Sequence, residues 1–253
     1  MAIDRNMQMT PPVVEIRRKN DRFHTQIGWL NSRHSFSFSH HYDPRNMHHG
    51  LLLVHNDDIV KPNSGFRTHP HRDMEIVTWV LDGELEHQDS EGHRGIIYPG
   101  LAQRMSAGTG IWHSEMNALG DKDVHFIQMW VPPDQDRMDP SYEQLDISEQ
   151  LSQGGLVPIA SGRGHEAAIA IRQKGAVLWG GRLRPGETAL VPDAPYVHVF
   201  VATGSAELEN AGTLQAGDEA RLTTAGGRRL MAGKDKGVEV LIWETDATLK
   251  LSS

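Results

Sequence analysis

The segment Gly65-Phe66-Arg67-Thr68-His69-Pro70-His71-Arg72-Asp73-Met74-Glu75 sets a histidine on either side of a proline. In an extended strand, side chains at i and i+2 leave from the same face. His69 and His71 therefore project together, two imidazoles side by side, and Glu75 shares their parity. Pro70 faces the other way and cannot donate a ladder hydrogen bond, which suits an edge or irregular strand beside a cavity. Some forty residues on, Ile111-Trp112-His113-Ser114-Glu115 repeats the arithmetic, with His113 and Glu115 on one face of another strand. Three neutral nitrogens and one anionic oxygen suit Fe(II), Mn(II), Ni(II), Cu(II) or Zn(II), and an octahedral ion would keep two positions open. Open positions mark a catalytic rather than a structural site.

Around these segments the chain reads as strand after strand. Short apolar runs at 50–55, 76–81, 126–131, 176–183 and 197–202 are rich in Val, Ile, Trp and Phe and bounded by Gly, Pro, Asn and Asp. Such runs predict an all-β sandwich or barrel. A break is expected at Pro132-Pro133-Asp134-Gln135-Asp136, and a turn-rich linker follows it, with one short helix near Ser148 to Leu151. The expected division is 1–133 for a first unit, 134–152 for the linker and 153–253 for a second unit. A weak repeat supports two copies of one barrel. Val80-Leu81-Asp82-Gly83, Pro99-Gly100 and Ser106-Ala107-Gly108 match Val201-Ala202-Thr203-Gly204, Ala216-Gly217-Asp218 and Thr224-Ala225-Gly226. Glycines at these points are expected in hairpin turns that need positive φ.

Composition narrows the chemistry. The chain has 253 residues, 38% of them hydrophobic and 23% charged, and a formal net charge of −8, which argues against a basic nucleic-acid footprint. With no cysteine, disulfides and thiolate ligands are excluded, so a metal would rely on His, Asp or Glu. No secretion signal and no long apolar run is expected to send the chain to or across a membrane, and a cytoplasmic protein is the default. Thirteen of the 15 histidines lie at or before His125, so the chemistry is expected in the N-terminal half. His34, His40, His41, His48, His49 and His55 are expected as surface or packing residues, and His87 at the cavity mouth or in a structural role. Met105, Met129 and Trp130 are expected in the core.

The order Gly65…His69-Pro70-His71…Glu75…Gly83, then Pro99-Gly100…His113, resembles the two motifs of the cupin superfamily. Finer runs resemble pirin and its bacterial relatives. They are Gly28-Trp29-Leu30, His34-Ser35-Phe36-Ser37-Phe38, Tyr42-Asp43-Pro44, Thr68-His69-Pro70-His71-Arg72, His87-Gln88-Asp89-Ser90, and Met105 through Glu115. The resemblance covers nearly all of 28–131 and implies a bicupin, two jelly-roll antiparallel barrels facing each other. It also implies one divalent metal in the first barrel, Fe(II) foremost with Cu, Ni, Mn, Co or Zn as alternatives, held by His69, His71, His113 and Glu115. Other cupins take their carboxylate from the place of Glu75, whereas in pirins that glutamate is not the usual ligand, so Glu115 is favoured. Glu75 is otherwise left to orient an imidazole, to pair with an arginine, or to share the role of base with Glu115.

Carried onto the second copy by the repeat, the ligand positions fall on Leu190, Pro192, Met231 and Gly233, so that barrel is expected to hold no metal and His198 to be packed. The activity implied by the resemblance is cleavage of a flavonol such as quercetin by dioxygen, with loss of carbon monoxide. The partners expected are a small aromatic substrate and dioxygen, with no nucleic acid and no membrane. The alternative implied is a regulator whose iron senses redox state and alters a surface recognised by a partner protein. A ring cleaver needs a roomy apolar pocket above the metal, whereas a sensor needs only access to it.

Overall fold

The computed structural model describes residues 2–4, 11–166 and 168–250. Strands dominate, and the one α-helix among the described residues is Ser148–Ser152, where the short helix was expected. The architecture is that of a bicupin.

In the first barrel a seven-stranded sheet runs in the order Ser141–Asp146, Leu101–Ser106, Glu75–Asp82, Val124–Val131, Val54–Val60, Leu30–His34, Phe23–Ile27. It closes over a four-stranded sheet in the order Gly65–His71, Ile111–Asn117, Leu85–Asp89, Arg94–Ile97. Gly65–His71 is an edge strand, as Pro70 requires. The second barrel is built around Ala176–Leu183, Val238–Thr245 and the long strand Tyr196–Leu208.

Alternation on two strands shows how the barrels face each other. On Val124–Val131, Val124 and Phe126 pack inside the first barrel, while Ile127, Met129 and Val131 join a cluster containing Leu178, Phe200, Leu241 and Trp243 of the second. On Glu75–Asp82, Val77 and Trp79 face the second barrel in the same way, and Trp79 Nε1 donates to Glu239 Oε1 at 2.8 Å. The central strands Glu75–Asp82 and Val124–Val131 are thus mostly apolar on both faces, which is why they read as nearly continuous hydrophobic runs.

Gly83 and Gly204 occupy matching places, but neither closes a hairpin. At Gly83 (φ 84°) the chain leaves the seven-stranded sheet for the four-stranded one. At Gly204 (φ 73°) the strand Tyr196–Leu208 stops pairing with Val238–Thr245 and goes on beside Gly212–Gln215 and Arg229–Ala232. Both are corners, where positive φ lets one strand serve two sheets.

We propose that the chain divides into units near residues 133 and 152, with two segments crossing that division. Val13–Arg17, counted with the first unit, pairs with Glu219–Thr223 and covers that edge of the second. The segment 134–152, expected as a linker, contributes Ser141–Asp146, which pairs with Leu101–Ser106 of the first barrel. No described helix is long and apolar enough to cross a membrane.

Candidate metal centre

The centre is built on the antiparallel pair Gly65–His71 and Ile111–Asn117. His69 lies opposite His113 and His71 opposite Ile111. A bulge then shifts the register so that Glu115 faces Phe66. It lets Phe66 and His69 both turn inward, against simple alternation. Gly65 is required by close approach: a Cβ there would lie 2.2 Å from the Glu115 carbonyl oxygen.

Three imidazoles converge. Ring centroids are separated by 4.8 Å (His69–His71), 4.5 Å (His69–His113) and 4.9 Å (His71–His113). His69 Nδ1 donates to the Arg67 carbonyl at 2.8 Å, which fixes its tautomer and leaves a lone pair on Nε2. That Nε2 lies 3.1 Å from His113 Nε2. Two nitrogens bound at about 2.1 Å and at right angles to a common ion lie roughly 3 Å apart. His71 Nε2 is buried and has no hydrogen-bond partner. Burial, then the neighbouring imidazoles, lowers the pKa of His71 to about 4 and of His113 to about 3, so both rings are neutral near pH 7. Converging nitrogens, one of them buried without a partner and two on neutral rings, fit a divalent metal of the borderline kind.

Glu115 is buried beside them. It forms a second group of closely spaced donors with His87 and His113, while His69, His71 and His113 form the first. Its Oε1 accepts from Thr78 Oγ1 at 3.3 Å and its Oε2 from Gln128 Nε2 at 2.6 Å. Trp130 Nε1 in turn donates to Gln128 Oε1 at 3.1 Å, which sets the amide's orientation. Asp58 lies near, with Oδ1 buried and unpartnered; burial raises its pKa to about 7, helped by Asp57 and Glu115 against a hydrogen bond from Ser32.

A cavity of about 640 Å³ opens above these groups, within the range of small-molecule sites. Trp29 and Phe66 meet edge to face on one wall (5.2 Å), and Phe38 and Trp130 on another (5.7 Å). The polar lining includes Ser32, His34, Asn56, Asp58, Glu115 and Gln128. Trp130, expected in the core, lines the cavity; Met105 and Met129 are core as expected.

Glu75 does not join the imidazoles. The chain turns at Asp73 (φ 48°), and Glu75 opens the next strand in the other sheet, so the parity count from His71 restarts. Glu75 Oε2 accepts from Ser106 Oγ at 2.8 Å and from the Arg172 backbone N–H at 3.1 Å. The carboxylate thus ties the first barrel to the segment entering the second. Neither orienting an imidazole nor pairing with an arginine side chain describes this arrangement.

Thr78, Gln128, Asn56 and Asp58 went unnoticed in the sequence. Thr78 and Gln128 do leave a trace there, as single polar residues at inward positions of otherwise apolar strands. His55 and His198 are both buried, their rings tilted by 50° to each other with centroids 4.8 Å apart.

The family model for Pirin matches residues 16–131. The crystal structure of a bacterial pirin from Escherichia coli in complex with nickel(II) superposes with a TM-score of 0.83 at 33% identity, covering 92% of this chain and 99% of that one. The chain belongs to the pirin family. A Mycobacterium tuberculosis protein, provisionally named a quercetin 2,3-dioxygenase, is 58% identical over 93% of this chain and 96% of its own length. An Escherichia coli quercetin 2,3-dioxygenase is 47% identical over 52% of this chain and 57% of its own. The family supports a dioxygenase, and the His/Glu cluster supports a metal ion within it.

Proposed function

We propose that this pirin-family protein is a metal-dependent dioxygenase that cleaves a flavonol such as quercetin with dioxygen. In this proposal His69, His71, His113 and Glu115 hold one divalent ion, with Fe(II) preferred. The observation that carries the proposal is the convergence of three imidazoles beside an aromatic-walled cavity, with His71 Nε2 buried and unpartnered and the Nε2 atoms of His69 and His113 3.1 Å apart.

The ion, when bound, would acidify an enol or phenol hydroxyl and couple it electronically to dioxygen. The chain's own residues do the rest. Glu115 takes the hydroxyl proton, its carboxylate held in place by Thr78 and Gln128. Trp29 and Phe66, with Phe38 and Trp130 across the cavity, offer faces and edges to a flat ring and exclude water from it. Asn56, Asp58 and His34 offer hydrogen-bonding groups to ring hydroxyls. Glu75, engaged between the barrels, takes no part in proton transfer. The cavity favours this proposal over a redox sensor, which needs only access to the metal.

The test is oxygen uptake with quercetin by protein reconstituted separately with iron, copper, nickel, manganese, cobalt and zinc. Saturable uptake with a redox-active metal, lost in His113→Ala, is expected. Stoichiometric metal binding without uptake for any metal would refute flavonol cleavage.

A further inference from the structure

Behind the imidazoles, on the side away from the cavity, a second line of side chains runs from His113 to the surface. His113 Nδ1 lies 3.4 Å from His87 Nδ1. His87 Nε2 lies 3.2 Å from Asp89 Oδ2. Asp89 also receives His93 Nδ1 at 3.0 Å and the backbone N–H groups of Glu91 and His93, each at 3.0 Å. The side chains of His87 and Asp89 are wholly buried, whereas that of His93 is 39% exposed. Tyr142 packs against both histidine rings, with centroids 4.8 Å from His87 and 5.4 Å from His93.

We infer that His87 and Asp89 are positioning residues for the metal centre, acting through His113. The inference rests on the proposed metal site, and hydrogen-bond direction carries it. If His113 gives its Nε2 lone pair to an ion, its Nδ1 bears the proton and must donate. His87 Nδ1 is then the acceptor, so His87 carries its proton on Nε2 and donates it to Asp89. Each link has one consistent direction, and Asp89 is an acceptor throughout. The carboxylate makes His87 a better acceptor and so strengthens His113 as a donor to the ion. Partners of this kind fix ring orientation and raise ligand basicity.

The alternative is that His87 is itself a ligand, with His113 and Glu115. That would require His113 to turn its Nδ1 lone pair inward and abandon the convergence of Nε2 atoms with His69.

Two variants test the inference, each checked for folding by circular dichroism. His87→Phe keeps a ring against Tyr142 and leaves the Asp89 turn bonds intact; Asp89→Asn removes the charge. Nickel(II) affinity is measured by competition with a chromogenic chelator, and midpoint potential on the iron-loaded protein. Both variants are expected to bind nickel about 10- to 100-fold more weakly at unchanged stoichiometry. The iron potential is expected to move to more positive values, because a weaker donor favours the reduced ion. Wild-type affinity and potential in either folded variant would overturn the inference. So would abolished binding in His87→Phe with no change in Asp89→Asn, which would make His87 a ligand. Wild-type protein that bound no nickel would sink the metal proposal itself.

Discussion

Gln128 donates its side-chain amide to Glu115 across 2.6 Å, and the same amide's oxygen is held by Trp130. The carboxylate is therefore aimed by a residue on the sheet opposite its own strand. Gln128→Leu keeps the volume and removes the donor. A buried group left unsatisfied costs about 1–3 kcal/mol, which Glu115 can avoid only by moving. We expect turnover of quercetin, at matched metal content, to fall about 10- to 100-fold. An unchanged kcat would remove Gln128 from the machinery.

Removal of metal should lower stability by linkage. An ion that binds only the folded chain stabilises it by about 2.7 kcal/mol at 100 times its Kd. Melting temperature is expected to rise with added nickel for the wild type. For His71→Ala the rise should be far smaller, since one of three converging nitrogens is gone. Equal dependence in both proteins would exclude His71 as a ligand.

Strand parity was enough to put His69 beside His71 and His113 beside Glu115, because period-2 alternation is local, but that the two strands meet was implied only by the family resemblance. Parity failed at Glu75 because Asp73 adopts a positive φ, which no residue count reveals. The corners at Gly83 and Gly204 look in sequence like hairpins, since glycine signals positive φ without saying what the chain does next. The pairing of Val13–Arg17 with Glu219–Thr223 was illegible for a different reason: its partners lie at opposite ends of the chain and share no local pattern. His87 and Asp89 stood in a family-like run, but only spatial proximity to His113 gives them a role.

The metal-free protein should be acid-sensitive, and the sign follows from its histidines. Burial, the largest cause in each case, lowers the pKa of His55 well below 6.5 and that of His198 below it, and brings His34 to about 4. A folded pKa below the unfolded one gives stability that is complete above about 6.5 and lost as pH falls toward the folded value. Each such histidine contributes a slope of about 1.4 kcal/mol per pH unit within its window. Glu219 adds a loss below about 4.5: burial would raise its pKa, but His198, Arg221 and Arg22 outweigh it. Asp58, with its pKa raised to about 7, works in the opposite direction and favours the fold as pH drops from 7 toward 3.8. With several histidines against one aspartate, the urea midpoint should fall steadily from pH 7 to pH 5. His55→Phe, which keeps a ring against Phe200, should flatten that fall. A midpoint independent of pH over this range would contradict the buried-neutral assignment.

Gly65 offers a separate test of the spacing between the two ligand strands. Its backbone is not left-handed, so an alanine meets no torsional objection; the obstacle is contact. A Cβ would lie 2.2 Å from the Glu115 carbonyl oxygen and 2.6 Å from the Met116 Cα, both backbone atoms that cannot swing aside. Gly65→Ala must therefore push Gly65–His71 away from Ile111–Asn117, and overpacking of this kind costs about 1–3 kcal/mol. At this chain length that corresponds to a melting temperature lower by roughly 2–12 °C. Because the displaced pair carries His69 on one strand and His113 and Glu115 on the other, nickel affinity should fall together with stability. Gly28→Ala serves as the comparison, since nothing lies within 4 Å of a Cβ there, and it should change neither quantity beyond about 0.5 kcal/mol. If Gly65→Ala melts lower but binds nickel like the wild type, the donor geometry does not depend on the spacing of these strands.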